Sequence, residues 1–189
     1  MLASKSSARR ALFAAAGVPV VVDPADIDER AAEAGTRDGK AAAVILARTK
    51  AAAVAKRRPN DLVLAADQTL DLDGRRFSKP KSVAAAREQL AALAGRTHSL
   101  HSAAAVARGN EMLFETVATA RLTMRPLDAK SLDAYLAAVG DDVTTSVGAY
   151  RLEGLGVHLF EKIEGDHFTI LGLPLLPLLA YFRGVGLLR

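Results

Sequence analysis

An α/β fold is predicted by three observations. Leu62-Val63-Leu64-Ala65-Ala66 is a short, unbroken apolar run, as expected of a strand buried on both faces. Alanine-rich segments bounded by helix caps alternate along the chain with strand-like segments. No repeat or linker interrupts them, so residues 1–189 read as a single domain, large enough to bury roughly 70% of its unfolded surface.

Leu2-Ala3 reads as the start of a strand that stops at Ser4-Lys5-Ser6-Ser7. Ser6 or Ser7 can then cap a helix from Ala8 to Ala16, closed by Gly17. A serine-rich loop at a helix N-terminus suits an anion, because unpaired N–H groups and the helix dipole favour phosphate. Arg9 and Arg10 oppose that dipole, so at least one is expected to have a partner outside the helix. Val18 to Val22 reads as a second strand, and most carboxylates of the following Asp23 to Glu29 segment as solvated. A long helix is predicted from Asp38 to Arg57, with Val44, Ile45 and Val54 apolar and Lys40 and Lys50 on a cationic side. Val83 to Leu93 reads as a helix ended by Gly95. Thr97–Ala107 and Met112–Met124 read as strands around a turn at Arg108-Gly109-Asn110. Asp128 can cap a helix to Val139, with Gly140 as its stop. Glu153-Gly154-Leu155-Gly156 lacks the third glycine and the strand–helix context of a dinucleotide fingerprint.

The stretch from Ala65 to Pro80 holds the candidate chemistry. Asp67 is the first charge after the apolar run and is expected at the strand's carboxyl edge, where open α/β sheets bind ligands. Asp73-Gly74 signals a tight turn, which returns the chain towards Lys79 and Pro80. A carboxylate and an ammonium are thereby expected near one rim.

Composition narrows the chemistry. With no cysteine, disulfides, iron–sulfur clusters, thiolate zinc sites and a cysteine nucleophile are excluded. The four histidines are dispersed, and His98 and His101 read as structural or surface residues. Residues 1–90 carry 16 Lys/Arg against 11 Asp/Glu, the remainder 9 against 10, so the basic half suits a polyanion. Only Phe13 and Phe77 lie in that half, which disfavours a base-stacking nucleic-acid surface. Lys56-Arg57-Arg58 reads as a charge cluster at a helix C-terminus. The start lacks the pattern of a signal peptide. The apolar run Phe168–Phe182 would span about 22 Å as a helix, short of the roughly 30 Å of a bilayer core. A cytoplasmic protein without membrane or nucleic-acid partners is expected.

Several ordered segments together resemble the Maf family of nucleoside triphosphate pyrophosphatases. They are Leu2 to Arg10, Asp28-Glu29, Lys50-Ala51, Ala66-Asp67-Gln68, Ser78-Lys79-Pro80, Leu90 with Gly95-Arg96-Thr97-His98, Ser146 to Tyr150, Glu164-Gly165-Asp166 and Leu171 to Leu175. The resemblance covers essentially the whole chain. It implies an elongated mixed α/β fold of inosine-triphosphatase type, with helices flanking the sheet and a central nucleotide cleft. It further implies a divalent metal (Mg or Mn), a common homodimer, and cleavage of a nucleoside triphosphate to monophosphate and pyrophosphate.

By position, the resemblance makes Asp67 the proton acceptor for the attacking water and, with Glu29, a metal-side residue. Ser6, Arg9, Lys50 and Lys79 take the places of phosphate-contacting residues. Ala8, Gln68 and Glu153 stand where family members differ in substrate preference. Gln68 and Glu153 resemble the 7-methyl-GTP branch, whereas Ala8 replaces the aromatic residue of that branch, and Ser7 replaces a usual proline. An ionised Glu153 could accept from both N1–H and the exocyclic amine of a guanine, so guanine-type bases are expected to be preferred. The rival reading from another class is a regulator that acts by binding, since Maf-like proteins are also associated with septum formation.

Overall fold

The computed structural model describes residues 1–189 throughout. In chain order its elements are α1 (Ser7–Ala15), α2 (Glu29–Ala32), α3 (Gly39–Arg57), β1 (Val63–Leu72), β2 (Arg75–Phe77), α4 (Val83–Leu93), β3 (Thr97–Arg108), β4 (Glu111–Met124), α5 (Ala129–Val139), β5 (Phe160–Glu164), α6 (His167–Ile170) and α7 (Leu175–Gly184). Short 3₁₀ turns occupy Gly140–Thr144, Val147–Ala149 and Leu155–Leu159. The five strands make one sheet in the order β2-β1-β3-β4-β5. The β1–β2 and β4–β5 pairs are antiparallel, and the two-residue link Gly109-Asn110 makes β3 and β4 a hairpin. Parallel bridges from Leu2 to Val22 and to Leu64 complete a mixed α/β arrangement.

The chain divides into two units. One holds Met1–Gln68, His101–Thr119 and Asp166–Arg189; the other holds Thr69–Leu100 and Ala120–Gly165. In the first unit, strand alternation sorts the core into two layers. Val63, Ala65, Ala103, Ala105 and Ala107 face Ala43, Ala47, Ala51 and Val54 of α3. Leu64, Ala66, Ala104 and Val106 face Leu12 and Phe13 of α1 and Leu178 and Phe182 of α7. Alanine on both sides of the first layer lets the α3 backbone lie close to the sheet. The buried stripe of α3 is therefore Ala43, Ala47, Ala51 and Val54, while Val44 and Ile45 are only half-buried.

Local signals place the helix ends. The Asp38, Ser82 and Asp128 side chains accept from Lys40, Ala85 and Ser131 N–H at the starts of α3, α4 and α5. Three expectations are corrected. Val18–Val22 is not a strand but a single bridge at Val22, because Pro19 has no N–H for a ladder. Leu2 likewise makes only bridges. The run from Phe168 is two helices, α6 and α7, broken at Gly172-Leu173-Pro174, and Pro177 is tolerated in the first turn of α7. No helix is long and apolar enough to cross a membrane.

In the second unit, Asp73 and Gly74 adopt φ values of 51° and 80°, and the turn pairs Leu70 with Phe77 and Leu72 with Arg75. Helix α4 packs on α5 and on Val147–Ala149. A Cβ at Gly148 would sit 2.7 Å from both Leu70 Cδ1 and Tyr150 Cε1. A Cβ at Gly156 would sit 2.4 Å from the Arg151 carbonyl oxygen, so Gly148 and Gly156 both stand where close packing leaves no room for a side chain. His98 is buried, with Nε2 2.6 Å from Tyr150 Oη, and burial pushes its pKa down to about 4. It is a neutral structural histidine. Its neighbour in the sequence reading, His101, is half-buried in the first unit, with Nδ1 2.9 Å from Thr119 Oγ1.

Candidate active site

Asp67 lies in the middle of β1, not at its end, because Thr69, Leu70 and Leu72 continue the buried strand into the β2 hairpin. It shares strand parity with Val63 and Ala65, so its side chain faces α3. Lys50 lies three residues after Ala47 and four before Val54 on that helix, beside the buried stripe. The Lys50 ammonium donates to Asp67 Oδ1 at 2.5 Å and contacts Glu29 Oε1 at 2.7 Å. Glu29 is delivered by α2, whose first turn is capped by Asp28. Lys50 and Asp67 side chains are 13% and 12% exposed, Glu29 56%. The sequence reading placed Lys40 and Lys50 on one cationic side; Lys40 is exposed there, whereas the small alanines beside Lys50 let it reach Asp67 on the sheet.

Burial raises the Asp67 pKa above the ordinary carboxylate value, against the opposing pull of Lys50 and Arg9 and with added repulsion from Glu29. Such a carboxylate holds its proton more readily than a solvated one, as a general base should. Arg9 has the outside partners its place in the first turn requires. Its Nε donates to the Gly172 carbonyl at 2.8 Å and Nη1 to Ser4 Oγ at 3.2 Å. Ser4 Oγ also accepts from Ser6 N–H, and Ser6 Oγ caps α1 by accepting from Arg9 N–H. The serine loop thus carries an arginine folded back against the helix N-terminus, which is an anion-favouring arrangement.

Gln68, the next residue along β1, points to the opposite face. Its amide donates to Ser102 Oγ, Thr169 O and Ile170 O, each at 3.0 Å. The polar atoms of this Nε2 are therefore directed into the protein. Ala8 is half-buried in the first turn of α1. Lys79 and Glu153 belong to the second unit. Lys79 follows β2 in a segment tethered by Gln89, whose Nε2 donates to the Ser78 carbonyl at 2.7 Å. Glu153 accepts from Arg151 Nε at 3.0 Å and lines a cavity of about 340 Å³ with Tyr135, Tyr150 and Gly154.

Sequence reasoning gave no task to Ser4, Ser102 or the Asp166–Gly172 loop. Ser4 and Ser102 are buried hydroxyls, and a serine directly before the apolar run Ala103–Ala107 is the signal that could have marked the second. Of the carboxylates between Asp23 and Glu29, Asp23 pairs with Arg57 and Arg58 rather than standing free.

Two carboxylate oxygens, from Asp67 and Glu29, converge on one point that an ammonium holds. Hard oxygen donors of this kind fit Mg or Mn, which need only one or two carboxylates when phosphates and waters fill the remaining positions. No group of three or more His, Asp or Glu side chains forms a cage, so most ligands would have to come from a bound phosphate and water.

A protein-family model described as Maf-like protein matches residues 1–185. A Nitrobacter hamburgensis protein named nucleoside triphosphate pyrophosphatase is 55% identical over 190 residues, spanning 100% of this chain and 94% of its own. A Rhodopseudomonas palustris protein of the same name is 57% identical with the same coverage. A Mesorhizobium japonicum protein named 7-methyl-GTP pyrophosphatase is 50% identical, spanning 98% of this chain and 96% of its own. Matched over nearly its whole length and more than half identical to these full-length relatives, the chain belongs to the family of Maf-like proteins.

Proposed function

We propose that the protein hydrolyses nucleoside triphosphates to the nucleoside monophosphate and pyrophosphate with the help of a divalent cation, Mg or Mn. The observation that carries this reading is the Lys50 ammonium held between Asp67 and Glu29. The names of the full-length relatives support the same activity. Asp67 accepts the proton of the attacking water, a task its raised pKa suits. Lys50, Arg9 and the Ser6-capped N-terminus of α1 bind phosphate oxygens, and Lys79 is read as a further phosphate-binding cation. Asp67 and Glu29 would hold the metal, which would supply charge neutralisation for the leaving pyrophosphate.

The products test the reading. Wild type is expected to release pyrophosphate and no primary orthophosphate, and chelation is expected to stop turnover. Lys79→Ala should impair triphosphate hydrolysis roughly tenfold or more, since a hydrogen bond to a charged group contributes about 1.5–3 kcal/mol. Orthophosphate as the first product would mean that the terminal phosphorus is attacked, and the assignment would be wrong.

Base preference is proposed to favour guanine-type bases, with 7-methyl-GTP as the specific alternative that the Mesorhizobium relative supports. Glu153 spends one carboxylate oxygen on Arg151, so the second donor of a guanine would compete with Arg151 for that oxygen. Measured kcat/KM is expected to run higher for GTP and 7-methyl-GTP than for UTP and dTTP. Glu153→Gln should shrink this gap roughly tenfold. A preference for UTP or dTTP that survives the substitution unchanged removes Glu153 from base recognition.

A further inference from the structure

We propose that Gln68 acts on the phosphate end of the substrate: it is a positioning residue that fixes Arg9 through the Asp166–Gly172 loop. The proposal deepens the pyrophosphatase reading and rests on its assignment of Arg9 to phosphate.

Strand parity comes first. Asp67 faces α3, so Gln68 must face the layer of α1 and α7. Its amide orientation is settled by its neighbours, since Thr169 O and Ile170 O can only accept and therefore require the NH₂ group on their side. Ser102 Oγ donates its hydrogen to Thr169 O at 2.7 Å, and so accepts from Gln68. Ser102 and Thr169 are completely buried or nearly so, at 0% and 1% exposed. The far side of the loop is fastened as well: Thr169 N–H and Oγ1 both donate to Asp166 Oδ2. Gly172 N–H returns to Thr169 O, and Leu173 N–H to Phe168 O. The position of the Gly172 carbonyl is thereby determined by a closed set of bonds.

That carbonyl grips Arg9 Nε at 2.8 Å. A Cβ built on Gly172 would lie 3.6 Å from both Arg9 Nε and Gln68 Oε1, so both side chains flank this glycine. Gln68 thus holds the loop with its NH₂ group, and the loop holds the Arg9 guanidinium through the Gly172 carbonyl. A planar donor of this type recognises phosphate only if its plane is fixed, and the brace supplies that constraint.

The test separates a phosphate effect from a base effect by using a ligand without a base. Binding of tripolyphosphate is measured by calorimetry for wild type, Gln68→Met, Arg9→Met and the double variant, alongside steady-state rates with GTP and UTP. Gln68→Met is expected to weaken tripolyphosphate binding roughly tenfold. It should raise KM for GTP and UTP by the same factor, with kcat less affected and the GTP:UTP ratio of kcat/KM unchanged. In the Arg9→Met background the same substitution should change tripolyphosphate binding less than about twofold. Ser102→Ala, which removes one hydroxyl of the brace, should give a smaller effect with the same pattern. It decides the matter if Gln68→Met does not fold. A shifted GTP:UTP ratio with unchanged tripolyphosphate binding would make Gln68 a base reader and overturn the proposal. Additive losses with Arg9→Met would overturn it too. An Arg9→Met protein that binds tripolyphosphate as wild type does would strike at the phosphate role of Arg9 itself, and the brace would fall with it.

Discussion

Asp67→Asn is expected to turn over nucleoside triphosphate roughly 10²–10⁴-fold more slowly than wild type, the range that loss of a general base produces. It should do so without a loss of thermal stability at neutral pH. The substitution is nearly isosteric, and it removes a charge whose burial outweighs the attraction of Lys50 and Arg9. Lys50 loses one partner but keeps Glu29. The sign of the linkage agrees. A carboxylate whose pKa is raised in the folded state binds its proton more tightly there than in the unfolded chain, so it disfavours the fold increasingly as pH rises through that window. Above it, where Asp67 is ionised, the neutral asparagine is relieved of that cost. The acid limb of kcat/KM in the free enzyme should correspondingly lie above the ordinary carboxylate range. Near-wild-type turnover by Asp67→Asn, with metal present, would remove Asp67 from the chemistry.

Local signals carried the helices. Asp38, Ser82 and Asp128 are caps that act within three residues, so α3, α4 and α5 could be placed from the sequence to within a residue or two. The buried run Leu62–Ala66 was legible because both of its faces are apolar, and the two-layer core bears this out. The continuation of β1 was not legible. Asp67, Gln68 and Thr69 break the apolar run, and the first two are accommodated by Lys50 and Ser102, which lie 17 and 34 residues away. No local pattern reveals such partners. Nor could it show that β1, β3 and β4 each pass from one unit into the other.

Resemblance rather than periodicity grouped Glu29, Lys50 and Asp67, which the structure brings together. Helical spacing grouped Lys50 with Lys40, and only the alanine stripe of α3 explains why Lys50 reaches a buried aspartate while Lys40 stays exposed. The roles of adjacent residues were harder still to read. Asp67 and Gln68 are neighbours in sequence, yet the pleat sends one to the carboxylate–ammonium cluster with Lys50 and the other to the Asp166–Gly172 loop.

Lys50→Met should have the second large effect, on stability as well as on rate. Methionine keeps the bulk of the side chain against the alanine stripe but takes away the only ammonium shown bridging Asp67 and Glu29. Two carboxylates are then left close together, one of them 9% exposed, with Arg9 as the remaining nearby cation. Removing one partner of such a buried pair typically costs about 3–5 kcal/mol, because the other charge stays uncompensated. Glu29, which is more than half exposed, can turn towards water and reduce that figure. The Asp67 pKa, already raised by burial, should rise further once the lowering influence of Lys50 is gone. The deficit in melting temperature should therefore be largest at about pH 8 and should close as pH falls, because protonation of Asp67 removes the uncompensated charge. Turnover should fall by roughly 10² or more, from the loss of a phosphate-facing cation and the misplacement of the base. Melting curves for wild type and Lys50→Met between about pH 5 and pH 8 check the first half, and rates at saturating triphosphate check the second. A stability deficit that does not vary with pH would mean that the ammonium is not what keeps Asp67 ionised in the folded protein.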